Sequence, residues 1–327
     1  MTSPVVEVSH LRKTYPGAGR GAPPKNAVAD VSFQIAAGEI FGILGPNGAG
    51  KTTTVECLAG LRHADGGSVR VLGHDPQADP TSVREDIGVQ LQEAALHDRI
   101  TVAEALDVFG SFYARRADAK ELLDLLDLTP HRNQQFGKLS GGQKQRLSIA
   151  LALVGKPQVA ILDELTTGLD PAARRATWDL VERVRDSGVT VLLVTHFMDE
   201  AERLCDRLVV IDGGYVVAEG TPSALIAGLD DDRGVRLRFA DAGARGRATQ
   251  LLTALAATDD NVTAVVQAGD EIEVTGTAKV LFAVVQALAA ADLVPDDVRT
   301  VERTLEDVFV QVTGRQYRAT ENEEVAA

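Results

Sequence analysis

Cysteine is scarce in this chain. Cys57 and Cys205 lie far apart, and no Cys-x-x-Cys pair or Cys/His cluster accompanies them. That argues against zinc and for a reduced, cytosolic setting. Aromatic residues are only 4% of the total, so Val, Leu, Ile and Ala must fill the core. Positive charge is outweighed, with 33 Lys and Arg against 47 Asp and Glu and a net charge of −14. An overall basic footprint for nucleic acid is therefore missing, as is electrostatic adhesion to anionic lipid as the main membrane contact. Long apolar runs are also missing. The longest, around Val191–Val194 and Val280–Ala291, fall short of the roughly 20 residues that cross a bilayer. The opening MTSPVVEVSH has no basic stretch followed by an apolar core, so no signal peptide is expected. No internal repeat or low-complexity tract is visible. Any membrane process would be served from the side.

What is present divides into two parts. A length of 327 residues suggests two domains, or one large domain with an appendage. Residues 5–11 and 27–35 read as strands, separated by a Gly/Pro-rich loop from Pro16 to Pro24. Glu39–Leu44 is a short apolar run that ends in a glycine-rich turn, and a helix-compatible stretch, Lys51–Leu61, follows. Between Asp98 and Gly155 the pattern is helical, with Thr101 and Glu104 spaced as a capping box. Val159–Leu162 and Val189–Val194 are apolar without alternation, as strands of a parallel sheet covered on both faces are, with a helix expected from Pro171 to Ser187. RLVVIDGGYVVAEG reads as a hairpin turning at Gly213-Gly214. The acidic LDDDRG at 229–234 marks an expected boundary, giving a first domain of 1–229 and a second of 230–318. The second has the order βαββαβ, the ferredoxin-like arrangement. Residues 319–327 read as a frayed tail.

Three motifs carry chemistry. Gly45-Pro46-Asn47-Gly48-Ala49-Gly50-Lys51-Thr52 fits G-x-x-x-x-G-K-[ST]. Its glycines let successive N–H groups curl into an anion-binding nest, and the next helix presents its positive end. Lys51 would reach the β and γ phosphates, and Thr52 would offer its hydroxyl to Mg²⁺. A chance match in a chain this long is roughly a one-in-a-hundred event. In Val159-Ala-Ile-Leu-Asp163-Glu164 a strand ends in two carboxylates. Asp163 is placed to hold Mg²⁺, and Glu164 to polarise an attacking water. Leu139-Ser140-Gly141-Gly142-Gln143 opens a second helix with a serine that can cap it. Either both helix starts serve one nucleotide within the chain, or they serve two nucleotides across a dimer.

LSGGQ shortly before such a strand resembles the signature motif of ABC ATPases. Other markers of that family stand in order over roughly residues 5–225. Tyr15 is similar to the aromatic that stacks on adenine, and Thr53 closes the phosphate motif. Gln92 is similar to the Q-loop glutamine, preferred over its neighbour Gln90, and it adds a Mg²⁺ contact. Asp170 in TGLD resembles the D-loop residue, and His196 resembles the switch histidine at the γ-phosphate. The resemblance implies an α/β fold: a P-loop NTPase core with an antiparallel β subdomain, and a helical subdomain at about 92–155. It implies ATP and Mg²⁺ as cofactors and ATPase activity with Lys51, Gln92, Glu164 and His196 at the reacting centre. It also implies a homodimer in which Leu139–Gln143 face the partner's ATP. One departure is Leu165, where the family usually has proline after the catalytic glutamate.

The segment LVTHFMDEAERLCDRLVVIDGGYVVAEGTP and the later TLEDVFV resemble the daunorubicin/doxorubicin-resistance type of bacterial exporter ATPase. That implies a subunit on the cytoplasmic face of the membrane, working with a separate permease on drugs, antibiotics, lipids or polysaccharides. The other reading is a non-transport ABC ATPase with a regulatory or DNA-associated role.

Overall fold

The computed structural model describes residues 3–17, 19, 23–90, 96–229, 233–301 and 303–314. Its contacts divide into two compact units, one of residues 1–223 with 312 onward and one of 224–311. The division falls a few residues before the acidic run, because the last strand of the first unit ends at Gly220. The proposed tail, 319–327, lies outside the described residues.

The first unit holds β1 (Val6–Tyr15), β2 (Lys25–Ile35), β3 (Ile40–Leu44), α1 (Lys51–Leu58), β4 (Gly66–Val71), α2 (Pro80–Asp86), β5 (Ile87–Gln90), α3 (Val102–Gly110), α4 (Ala119–Leu125), α5 (Gly141–Leu153), β6 (Val159–Asp163), α6 (Pro171–Asp186), β7 (Thr190–Thr195), α7 (Met198–Leu204), β8 (Arg207–Asp212) and β9 (Tyr215–Gly220). The strands form one nine-stranded sheet in the order β4-β1-β2-β9-β8-β3-β7-β6-β5. Strands β8, β3, β7, β6 and β5 run parallel, whereas β4, β1 and β2 pair antiparallel. Every residue of β3, β6 and β7 is buried. That is why these runs lack alternation: helices cover both faces, and apolar side chains are rewarded on each. Leu44 pairs with Thr195 and Asp163 with Val194, so three strands end level along one edge. The residues that follow them, Gly45, Glu164 and His196, emerge at that edge, where open α/β sheets bind ligands.

Helices α3, α4 and α5 form the helical region. The capping box at its start is in place, with Thr101 Oγ1 accepting from Glu104 N at 3.2 Å and Glu104 Oε2 accepting from Thr101 N at 2.8 Å. The hairpin turns on Gly213 and Gly214, both with positive φ, as a two-residue primed turn requires.

The remaining elements are α8 (Pro222–Ala227), β10 (Arg233–Arg238), α9 (Ala242–Ala256), β11 (Val262–Ala268), β12 (Glu271–Gly276), α10 (Val280–Ala290), β13 (Asp297–Val301) and α11 (Leu305–Thr313). Four of these strands form an antiparallel sheet in the order β11-β12-β10-β13, with α9 and α10 as crossovers. That is the split βαβ arrangement, and it has its own core around Val235, Leu237, Phe239, Leu252, Ile272 and Val284. Among the described residues no helix is long and apolar enough to cross a membrane. No group of three or more His, Cys, Asp or Glu among them is arranged to hold a metal ion.

Candidate active site

Between β3 and α1 the loop Gly45–Gly50 is squeezed by backbone from both sides. A Cβ at Gly45 would fall 2.2 Å from the carbonyl oxygen of Ile211. One at Gly50 would fall 2.3 Å from that of Ala27, and Gly50 has φ +109°. Only glycine satisfies both demands. The turn of the β8–β9 hairpin pins the loop further, since Gly214 N donates to Ala49 O at 3.0 Å. No side chain caps α1 and no acid occupies its first turn, so its positive end is left to an anionic ligand. Lys51 is buried, and its Nζ donates to the carbonyls of Gly45 at 2.7 Å and Pro46 at 3.2 Å. Burial pulls its pKa down, against the opposing pull of Glu164 and Asp163.

A cavity of about 390 Å³ opens over this loop, lined by Tyr15, Lys25, Ala27, Asn47, Gly48, Gly50, Lys51, Thr52, Thr53 and Glu164. Of the expected nucleotide residues, Gly45, Pro46 and Ala49 are not in this lining; the first two hold Lys51 and the third is buried. Tyr15 stands beside α1, its hydroxyl 3.4 Å from Thr53 Oγ1, with the Arg62 guanidinium 5.2 Å from its ring centre. Lys25 and Ala27 were not read from the sequence. They reach the cavity because β2 pairs antiparallel with β1, placing Lys25 opposite Tyr15.

The two carboxylates at the end of β6 occupy different environments. Asp163 is 2% exposed, and burial, then the charge of Glu164, raise its pKa to about 6. Its Oδ1 is buried without a hydrogen-bond partner. Its backbone N–H donates to Gln90 Oε1 at 3.2 Å, so the glutamine passed over in the sequence braces this strand end. Gln92 lies outside the described residues. Glu164 turns out of the strand with φ +49°, a left-handed conformation unusual for a non-glycine residue. Its N–H donates to Val194 O at 2.9 Å, and its Oε1 lies 3.2 Å from His196 Nδ1. The bond to His196 holds its carboxyl below the usual glutamate range. Leu165 is buried directly behind it. A buried, unpaired carboxylate oxygen on Asp163 and an exposed hydroxyl on Thr52 are the hard oxygen donors that suit Mg²⁺.

The second glycine-rich helix start lies elsewhere. Ser140 caps α5 in a capping box, accepting from Gln143 N at 3.3 Å and donating its own N–H to Gln143 Oε1 at 2.9 Å. Ser140, Gly141, Gly142 and Gln143 line a cavity of about 420 Å³ together with Gly168, Leu169 and Asp170. Leu139 is buried beneath them. Asp170 caps α6, its Oδ1 accepting from the N–H groups of Ala172 and Ala173, both at 2.9 Å. The two cavities share no lining residue.

A family model described as "ABC transporter" matches residues 28–167. The daunorubicin resistance ATP-binding protein DrrA3 of Streptomyces coeruleorubidus is 38% identical over 313 residues, covering 94% of this chain and 98% of that one. The Nod factor export ATP-binding protein I of Burkholderia lata is 46% identical over 207 residues, 62% of this chain and 68% of that one. Among solved structures, a dimeric post-hydrolysis state of the ATP-binding cassette MJ0796 bound to ADP and Pi is 28% identical. Its TM-score is 0.59, and the match covers 66% of this chain and 98% of that one. The chain belongs to the ABC transporter ATP-binding family. It is an ATP-binding ATPase.

Proposed function

We propose that this chain is the ATP-hydrolysing subunit of an exporter, working as a dimer of cassettes on a separate membrane permease. The observation that carries the reading is the separation of the two helix starts. One cavity holds Lys51 and Glu164, and the other holds Ser140 and Gly142. Neither alone surrounds a triphosphate, and a head-to-tail pair supplies one of each to every ATP. Support for export comes from the relatives, which are named for daunorubicin resistance and Nod factor export. The cargo class is accordingly a drug, antibiotic, lipid or saccharide.

In this mechanism Tyr15 stacks on the adenine and the α1 amides hold the phosphates. Lys51 exchanges the carbonyls of Gly45 and Pro46 for the β and γ phosphates. Glu164, kept ionised by its bond to His196, accepts a hydrogen bond from the attacking water, and His196 lies next to it. Thr52 and Asp163, with Gln92 as the further contact expected from the sequence, would hold Mg²⁺, which would neutralise charge developing on the phosphates. The dimer closes on ATP and opens once the γ-phosphate is released.

A groove of about 440 Å³ in the same unit suits the permease. Leu61, Ile87, Val89, Phe112 and Tyr113 are among the residues that line it, and Phe112 is 74% exposed. The test is ATP-driven dimerisation of Glu164→Gln, compared with the same chain also carrying Ser140→Arg. The reading requires the first to trap a dimer and the second to stay monomeric while still binding ATP. Co-purification of the wild-type chain with a membrane protein, lost on Phe112→Asp, tests the permease.

A further inference from the structure

Neither His131 nor Gln134 belongs to a motif visible in the sequence, yet together they tie down the loop that carries Ser140. Ser140 N–H donates to Gln143 Oε1 at 2.9 Å. Gln143 Nε2 lies 3.0 Å from His131 Nε2. His131 Nδ1 lies 2.9 Å from Gln134 Oε1, and Gln134 Nε2 donates to the carbonyl of Lys138 at 2.7 Å.

The direction of every bond follows from the two ends. A backbone N–H only donates and a backbone carbonyl only accepts. Ser140 N–H therefore takes the oxygen of Gln143, which turns the amide nitrogen of Gln143 toward His131. Lys138 O takes the nitrogen of Gln134, which turns its oxygen toward His131. One imidazole nitrogen must accept and the other donate, so the ring is neutral, with its proton on Nδ1. Both ends of the chain of bonds lie within Lys138–Ser140, the segment that delivers the cap of α5.

We propose that His131 is a positioning residue for the Ser140–Gln143 turn, and that protonating its ring releases the turn. This rests on the reading that the turn meets the partner's ATP. An imidazolium donates from both nitrogens. Gln143 cannot offer its oxygen to the ring without withdrawing it from Ser140 N–H, so two donors face each other and one link is lost. The charged groups sharing the cavity with His131 are Asp127, Arg146 and Asp170. Asp124, Glu104, Arg132 and Lys138 stand on adjoining turns. The carboxylates have partners of their own: Asp127 binds Arg146 and Arg183, Asp124 accepts from Thr129, Glu104 from Thr101 and Asp170 from the start of α6. None of these bonds substitutes for the link between His131 and Gln143.

The test compares wild type, His131→Ala and His131→Gln as full-length chains, with a melting scan to establish folding. ATPase is followed between about pH 5.5 and 8.5, the range in which histidine titrates. ATP-driven dimerisation is followed over the same range in the Glu164→Gln background, and ATP binding to the monomer with a fluorescent ATP analogue. His131→Ala is expected to lose about tenfold in hydrolysis and dimer formation at neutral pH, with binding to the monomer unchanged. His131→Gln offers one donor and one acceptor without titrating. It is expected to stay within about twofold of wild type at neutral pH and to decline less steeply than wild type on the acid side. If His131→Ala matches wild type in both measurements, or if wild type and His131→Gln give superimposable pH profiles, the proposal is overturned. Ser140→Arg separates the two levels. Where it abolishes dimerisation but the His131 variants change nothing, only the role of His131 fails; where Ser140→Arg is also silent, the two-cavity reading fails.

Discussion

The loop at Gly45–Lys51 is shaped by backbone. Its two critical glycines sit against the carbonyls of Ile211 and Ala27, and no side chain caps the helix that follows. The turn at Ser140–Gln143 is held by side chains. Ser140 and Gln143 cap each other, and a Cβ at Gly142 would meet only the Cβ of Ala173, at 3.8 Å. A backbone-crowded loop tolerates no added atom. A side-chain-bonded turn has room, and its demands come from whatever docks against it. In the proposed dimer the first half-site is formed within the single chain, and the second is finished by a partner.

A matched pair of substitutions separates the two loops most strongly. Gly50→Ala puts a methyl 2.3 Å from Ala27 O at a φ of +109°. It is expected to weaken ATP binding by the monomer about 100-fold or more and to leave no measurable hydrolysis. Gly142→Ala should leave folding and monomer binding as they are and reduce only ATP-driven dimerisation. Titration with a fluorescent ATP analogue and sizing in ATP read the two effects. Equal loss of monomer binding in both variants would erase the distinction.

Next in size is Glu164, the carboxylate proposed to polarise the attacking water. Glu164→Gln keeps the shape but loses the charge that polarises water, so kcat should fall by about 10² to 10⁴. ATP affinity should hold, and the dimer should persist in ATP. Leu165 makes this informative, since the chain fixes Glu164 through Val194 O and His196 rather than through a following proline. A wild type as slow as the variant would mean those two bonds do not place the carboxylate.

How far the sequence reaches into this site depends on what each part demands. The phosphate loop, the α5 turn and the β6 carboxylates were legible because phosphate, caps and strand ends require particular residues at fixed spacing. Gly45–Thr52, Ser140–Gln143 and Asp163–Glu164 therefore announce themselves. The nine-stranded sheet was legible in part, since β3, β6 and β7 are apolar throughout. Pairing was not. Lys25 and Ala27 reach the cavity only through the register of β2 on β1. Gln90 was passed over for Gln92, because nothing local says that its amide meets Asp163 N–H across β5 and β6. His131 had no signal at all, since its partners are side chains brought together by tertiary structure.

Asp163 contrasts with Glu164 in its effect on stability. Its pKa rises from 3.8 to about 6, so folding disfavours its ionised form. Such a group contributes stability below the unfolded value that is lost as pH rises through the folded one. At neutral pH the ionised Asp163 therefore costs the fold about 2–3 kcal/mol. Asp163→Asn should abolish hydrolysis yet raise the denaturation midpoint at neutral pH, with the gain shrinking as pH falls from about 6 toward 4. Urea unfolding at a series of pH values measures this. An Asn variant no more stable than wild type at neutral pH would mean that the buried carboxylate is solvated after all.

The smallest effect belongs to the end of the cavity where Tyr15 is proposed to stack on the base. The Arg62 guanidinium lies 5.2 Å from the centre of the Tyr15 ring and pairs with Glu56 on α1. Arg62 thus links the ring to α1, the helix proposed to hold the phosphates. At a partly exposed site such a cation–π contact is worth about 0.5–1 kcal/mol. Arg62→Ala should therefore raise KM for ATP by about two- to fivefold and leave kcat alone, because the ring meets the base equally in ground and transition states. Steady-state kinetics with ATP and GTP separate the cases. A loss confined to KM and larger for ATP fits a tuned stacking surface, whereas a fall in kcat would place Arg62 with the phosphate loop.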